Sequence, residues 1–82
     1  MEVNNLSYYA GVFLRKSRKE KNLTGKQLAK LMHVSQQQIS RYERGECNIN
    51  IENLHVLANA LETEMICFFI DDVFINKENN HI

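Results

Sequence analysis

One short segment in the middle of the chain carries a helix-start signal at one end and a helix-stop signal at the other. Ser35 is a favoured N-cap residue, and Gly45 is the residue type that most often follows a helix C-terminus. Ile39 and Tyr42 are three positions apart, so they lie on one face of a helix. The segment therefore predicts a short helix over residues 36–43 that buries one face and leaves the other polar.

Similar signals recur along the rest of the chain, which contains no proline. Three further helices are predicted, over residues 8–21, 25–32 and 51–61. Their predicted N-caps are Ser7, Thr24 and Asn50, and Gln27 completes a capping box with Thr24. An apolar stretch over residues 65–70 favours a fifth helix. The expected fold class is all-α, a compact body of five helices.

The chain is 82 residues long, which suffices for one domain with a small core. A chain of this size buries only about 60–65% of its unfolded surface, so it often gains stability from dimerisation. We expect one domain over residues 1–75 and a frayed tail over residues 76–82.

An apolar cluster near the C-terminus is larger than one terminal helix of a small monomer needs. Core closure by Phe68 or Phe69 accounts for part of the cluster. The remainder favours a homodimer interface, whose expected residues are Phe69, Ile70, Val73 and Phe74.

Charge is segregated between the two halves of the chain, although the formal net charge is zero. Residues 1–45 hold nine Lys/Arg and three Asp/Glu, a net charge of +6, and residues 46–82 hold one Lys and seven Asp/Glu, a net charge of −6. A basic half fits a polyanion, but chance segregation of solvated charges gives the same pattern. We expect no membrane span and no secretory signal, because neither pattern occurs in the sequence.

The remaining reactive groups do not form a pattern typical of catalysis. Cys47 and Cys67 lie far apart, which favours free thiols in a reducing, cytoplasmic setting. A metal-responsive sensor built from these cysteines and His55 is a weak hypothesis, because the spacing does not suit a zinc site. No catalytic triad, carboxylate cluster or Gly-rich phosphate loop stands out. We therefore expect no enzyme, cofactor, metal or small-molecule ligand.

Glutamine is concentrated at the start of the predicted 36–43 helix, where Gln36, Gln37 and Gln38 follow one another. Such a run is an odd choice for a plain solvated surface. A side-chain amide offers a donor and an acceptor together, so it can bond adenine N6 and N7 at once. The run therefore favours a helix that contacts base edges.

The residues around the predicted turn after the second helix agree with a known family in order and spacing. The matching positions are Leu23-Thr24, Leu28-Ala29, Val34-Ser35, Ile39-Ser40, Glu43-Arg44-Gly45, Leu57-Ala58 and Leu61. With these positions the chain resembles the Cro/C1-type (XRE) regulators over residues 12–69, with the helix-turn-helix at residues 24–44. Within that family it is similar both to restriction–modification controller proteins and to fimbria-linked motility regulators.

The resemblance implies a sequence-specific transcription regulator, expected to be a repressor, that binds double-stranded DNA as a homodimer at an inverted repeat. The third helix would enter the major groove, and the second would clamp a phosphate with its N-terminus. The expected base readers are Gln36, Gln37, Gln38, Ser40 and Arg41. The expected phosphate contacts are Thr24, Lys26, Gln27 and Arg44. An antitoxin-type or other protein-interaction module with the same fold remains the alternative.

The resemblance also concerns one pair of charged residues and two positions that differ from the usual family pattern. Arg18 and Glu43 match a family pair that forms an internal salt bridge, which implies that Glu43 holds the third helix in place and does not face DNA. His33 stands where the family usually has a turn glycine, and histidine tolerates the left-handed conformation. Gly25 stands where the family often has a phosphate-binding glutamine, and Lys26 is the expected substitute.

Overall fold

The structure is a computed structural model that describes residues 3–70, and the side chains of residues 6–69. Its elements are α1 (Val3–Glu20), α2 (Gly25–Met32), α3 (Gln36–Glu43), α4 (Ile51–Ala60) and α5 (Cys67–Ile70). Over this range every element is a helix, so the predicted all-α, five-helix class is confirmed. The predicted bounds of α2 and α3 agree with the structure residue for residue.

The first helix begins earlier than predicted, and Ser7 is not its N-cap. The helix starts at Val3, so Ser7 lies inside it, and the Ser7 hydroxyl donates to Asn48 Oδ1 at 2.6 Å. Serine hydroxyls favour caps, but this one links α1 to the connection between α3 and α4. The fifth helix is shorter than predicted and begins at Cys67.

The second helix is capped as its sequence predicts. Thr24 Oγ1 accepts from the Gln27 backbone N–H at 3.0 Å, and Gln27 Oε1 accepts from the Thr24 N–H at 2.8 Å. At the other end His33 has φ 59°, the left-handed conformation that usually requires glycine. Asn22 and Glu62 adopt the same left-handed conformation, with φ values of 59° and 58°. The side chain of Glu62 accepts a hydrogen bond from Lys21, and this bond lowers the pKa of the Glu62 carboxyl.

The core is formed by apolar residues from all five helices and by Leu61, the C-cap residue that follows α4. Its largest fully buried side chains are Phe68, Leu14, Leu28, Ile39, Leu57 and Leu61. Burying each of these stabilises the fold by about 1.5–3 kcal/mol relative to exposure. Phe68 closes the core against Phe13, edge to face, with ring centroids 4.7 Å apart.

Of the predicted dimer residues, the structure describes the side chain of Phe69 alone. Phe69 is 38% exposed, whereas its neighbour Phe68 is fully buried. The side chain of Ile70, residues Val73 and Phe74, and the predicted tail at 76–82 lie outside the described residues.

A glycine brings α1 against the C-terminal end of α3. A Cβ atom at Gly11 would lie 2.7 Å from the Glu43 carbonyl oxygen, closer than real Cβ atoms approach. Only glycine therefore allows this approach, which places α3 relative to α1 and thereby positions its outer face.

Candidate nucleic-acid interface

The third helix buries one face and exposes another, as its sequence predicts. Ile39 and Tyr42 are 1% and 4% exposed. The opposite face lines an open concavity of about 330 Å³, formed by Gln36, Gln37, Ser40, Arg41 and Arg44. Four of the five predicted base readers therefore lie together on one surface.

The start of α3 is fixed by its cap. Ser35 Oγ accepts from the Gln38 backbone N–H at 3.1 Å. An α-helix with its side chains is about 10–12 Å across, which fits a major groove about 12 Å wide. Donors and acceptors that project from such a helix, on the exposed side of Gln36, Gln37 and Arg41, are suited to base edges.

Gln38 differs from the other predicted base readers. Its side chain is half-buried, and Nε2 lies 3.4 Å from Cys47 Sγ in the connection between α3 and α4. The structure therefore does not bring Gln38 into the concavity with Gln36 and Gln37.

The N-terminus of α2 lies beside the N-terminus of α3. A Cβ atom at Gly25 would lie 3.9 Å from Gln36 Cγ, an ordinary van der Waals distance. Thr24, Lys26 and Gln27 are exposed there, next to the N–H groups and positive dipole end of α2. The predicted phosphate contacts at this end of α2 and the predicted base readers thus share one side of the molecule.

Arg44, the other predicted phosphate contact, is held by a carboxylate. Its Nε lies 2.9 Å from Glu46 Oε2, and its Nη2 lies 3.3 Å from Glu46 Oε1. Both side chains are exposed, and exposed ion pairs contribute only about 0–1 kcal/mol. A phosphate can therefore compete with Glu46 for this guanidinium.

Arg18 and Glu43 form a two-point ion pair between α1 and α3. Arg18 Nε donates to Glu43 Oε2 at 2.6 Å, and Nη2 donates to Oε1 at 3.1 Å. Arg18 Nη1 also donates to the Leu23 carbonyl at 2.9 Å. The hydrogen bond to Glu43 raises the pKa of Arg18. With both oxygens engaged, the Glu43 carboxylate is turned into the protein and its charge is neutralised.

The helix is also tied to α4. Asn53 Nδ2 donates to Tyr42 Oη at 3.0 Å. Because α3 is held by the ion pair to α1 and by this hydrogen bond to α4, its exposed face is positioned before any ligand arrives, which lowers the entropic cost of binding.

Sequence reasoning did not locate a second basic surface, on α1. Arg15, Lys16 and Lys19 line a groove with Arg44, at the C-terminal end of α3. Residues 15–21 are rich in Lys and Arg, but the position of this segment beside α3 depends on the close approach at Gly11, which no local sequence pattern specifies.

The described residues 3–70 contain no group of three His, Cys, Asp or Glu side chains that could hold a metal ion. His55 pairs with Asn59 at 3.2 Å, and both cysteines are half-buried free thiols. Within the same range no helix is both long enough and apolar enough to cross a membrane.

These features define a helix-turn-helix domain of the kind that binds DNA. A family model described as "Helix-turn-helix" (HTH_3) matches residues 14–66, and the chain belongs to this family. It is therefore a DNA-binding transcriptional regulator and not an enzyme. No curated protein matches the chain significantly.

Solved structures of bacterial regulators share this fold. The clp gene regulator ClgR of Corynebacterium glutamicum has 26% identity and a TM-score of 0.83, over 93% of this chain and 83% of that one. The restriction–modification controller C.AhdI of Aeromonas hydrophila has 32% identity and a TM-score of 0.73, over 77% of this chain and 96% of that one. An HTH_3 family transcriptional regulator of Vibrio cholerae has 29% identity and a TM-score of 0.76, over 84% of this chain and 39% of that one.

Proposed function

We propose that this protein is a sequence-specific repressor that binds an inverted-repeat operator as a homodimer. The observation that carries the proposal is the shared exposure of Gln36, Gln37 and Arg41 on a capped helix that α1 and α4 hold in place. Bound over a promoter, such a protein blocks the polymerase by occupying the same DNA.

In this proposal the start of α3 enters the major groove and recognises bases. Gln36 and Gln37 each form hydrogen bonds with adenine N6 and N7, and Arg41 donates two hydrogen bonds to guanine O6 and N7. Ser40 adds a hydroxyl on the same face. Gln38 stays at the margin, because it would have to leave Cys47 to reach a base.

Phosphate contacts on both sides of α3 fix its register on the duplex. At one end Thr24, Lys26 and Gln27 surround the N-terminus of α2, where N–H groups and the dipole favour an anion. At the other end Arg44 exchanges Glu46 for a phosphate, gaining a charge-assisted hydrogen bond of similar geometry.

The dimer is proposed to form through the C-terminal apolar residues, Phe69, Ile70, Val73 and Phe74. The exposure of Phe69 and the 56% exposure of Ile66 support an apolar surface at this end of the fold. A two-fold dimer that spans adjacent major grooves separates its recognition helices by about 34 Å, one turn of DNA.

Selection of bound sites from a random duplex library tests this proposal. The expected result is two identical half-sites in inverted orientation, with centres about 10 base pairs apart. Enrichment of a single half-site contradicts the dimer, and enrichment of no sequence contradicts base recognition. The C.AhdI similarity makes a restriction–modification controller one candidate sub-type, which the selected operator can be compared against.

A further inference from the structure

We propose that the groove between α1 and the C-terminal end of α3 is a second track for the DNA backbone, beyond the phosphates that flank the recognition helix. The proposal rests on the proposed DNA-binding function. Its central residues are Arg15 and Lys19 of α1, and neither is among the DNA contacts that the family resemblance implies.

The groove runs along α1 and joins the recognition face directly. Tyr8, Val12 and Lys19 mark its length on α1, and Arg44 lines both this groove and the concavity of α3. Eleven positions separate Tyr8 from Lys19, which is about 16 Å along a helix. A DNA strand whose phosphates pass Arg44 at the edge of the major groove therefore reaches the α1 groove of the protein next.

The charges of the groove suit a polyanion. Arg15 and Lys19 are exposed one helical turn apart, and neither has an ion-pair partner among residues 3–70. Glu43, the acidic residue that lines the groove, has both carboxylate oxygens engaged by Arg18. Half-buried Val12 supplies an apolar wall that can pack against deoxyribose.

Two lysines outside the groove provide a matched control for Arg15 and Lys19. Lys21 is already paired with Glu62, with Nζ 2.5 Å from Oε1. Lys30 lines a different groove, on α2, with Leu31 and His33. The double variant K21A/K30A removes the same charge as R15A/K19A, but from surfaces that the proposal does not use.

The test measures binding of the full chain and both double variants to a mixed-sequence 30-base-pair duplex between 50 and 200 mM salt. Affinity falls with salt, and each phosphate contact makes the slope of log affinity against log salt steeper by about 0.9. The slope of R15A/K19A should therefore be shallower than that of the unaltered protein by about 1.8. Over this range the affinity of the unaltered protein should therefore fall about twelvefold more than that of R15A/K19A. The slope of K21A/K30A should stay at that of the unaltered protein. Thermal melting of each variant checks that the fold is retained.

Equal slopes for both double variants, with the unaltered protein still binding DNA, would overturn the backbone track and leave the proposed function intact. Failure of the unaltered protein to bind any duplex would instead overturn the proposed function. A third outcome decides the class of partner: if R15A/K19A keeps its DNA slope but loses binding to poly-glutamate, the groove serves an acidic polypeptide and the proposal is wrong.

Discussion

Arg18 on α1 and Glu43 on α3 are 25 residues apart in the chain, and they meet through two hydrogen bonds of 2.6 and 3.1 Å. Their side chains are only 13% and 10% exposed. Arg18 also holds the Leu23 carbonyl, just before α2. One guanidinium thus connects α1, the approach to α2, and the C-terminal end of α3.

Replacing Arg18 with alanine should destabilise the fold by about 2–4 kcal/mol, because it leaves a nearly buried carboxylate without a partner. Urea denaturation measures the loss. The double variant R18M/E43M is the control, since it removes both charges and keeps much of the packing volume. It should recover a large part of the stability, as expected for a coupled pair. The single variants R18M and E43M complete a double-mutant cycle, and a loss in R18M/E43M equal to the sum of the two single losses would show that the residues do not interact.

Replacing Lys26 with alanine should weaken binding to every duplex by a similar factor, because a phosphate contact carries no sequence information. The salt slope should become shallower by about 0.9. Binding titrations at several salt concentrations, on the selected site and on mixed-sequence DNA, measure both effects. An effect confined to the selected site would indicate that Lys26 contacts a base and not a phosphate.

Replacing His33 with glycine should stabilise the protein by about 1 kcal/mol, since His33 has φ 59° and glycine adopts that conformation without strain. Thermal unfolding should show a rise of about 4–8 °C in Tm. The same exchange at His55, inside α4, is the matched control and should cost about 0.5 kcal/mol, the difference between histidine and glycine in a helix interior. Shifts of the same sign in the two variants would contradict the backbone explanation.

Replacing Phe74 with serine should shift the protein toward monomer, because the proposed interface would lose a large apolar side chain. Sedimentation equilibrium at several protein concentrations measures the association. Ile51→Ser is the control, since Ile51 is 75% exposed on α4 and lies outside the proposed interface. An unchanged association constant for Phe74→Ser would place the interface elsewhere.

The parts of the fold that sequence predicts well are those with local causes. The capping box at Thr24 and Gln27 and the cap at Ser35 act within a single turn, so the bounds of α2 and α3 follow from neighbouring residues. Ser7 has the same chemistry, but a partner 41 positions away takes its hydroxyl, and the helix runs through it. A capping signal therefore fails where a tertiary contact competes for it.

In the candidate site, too, features with local causes can be predicted from sequence, and features that depend on tertiary packing cannot. Helical spacing places Gln36, Gln37 and Arg41 on the outer face of α3, because Ile39 and Tyr42 must be buried. The contact of Gln38 with Cys47 could not be predicted, since it depends on the path of the connection after α3. The α1 groove depends on how closely two helices pack, which no local pattern specifies.

The central claim is that α3 recognises bases through its exposed side chains, and Arg41→Ala tests it most directly. The measurement compares affinities for the selected operator and for operators with each base pair replaced in turn, with Lys30→Ala as the control for charge. The variant should lose about 1–3 kcal/mol on the selected operator and lose its preference at one base pair in each half-site. An equal loss on selected and mixed-sequence DNA, with every base preference retained, would contradict the claim.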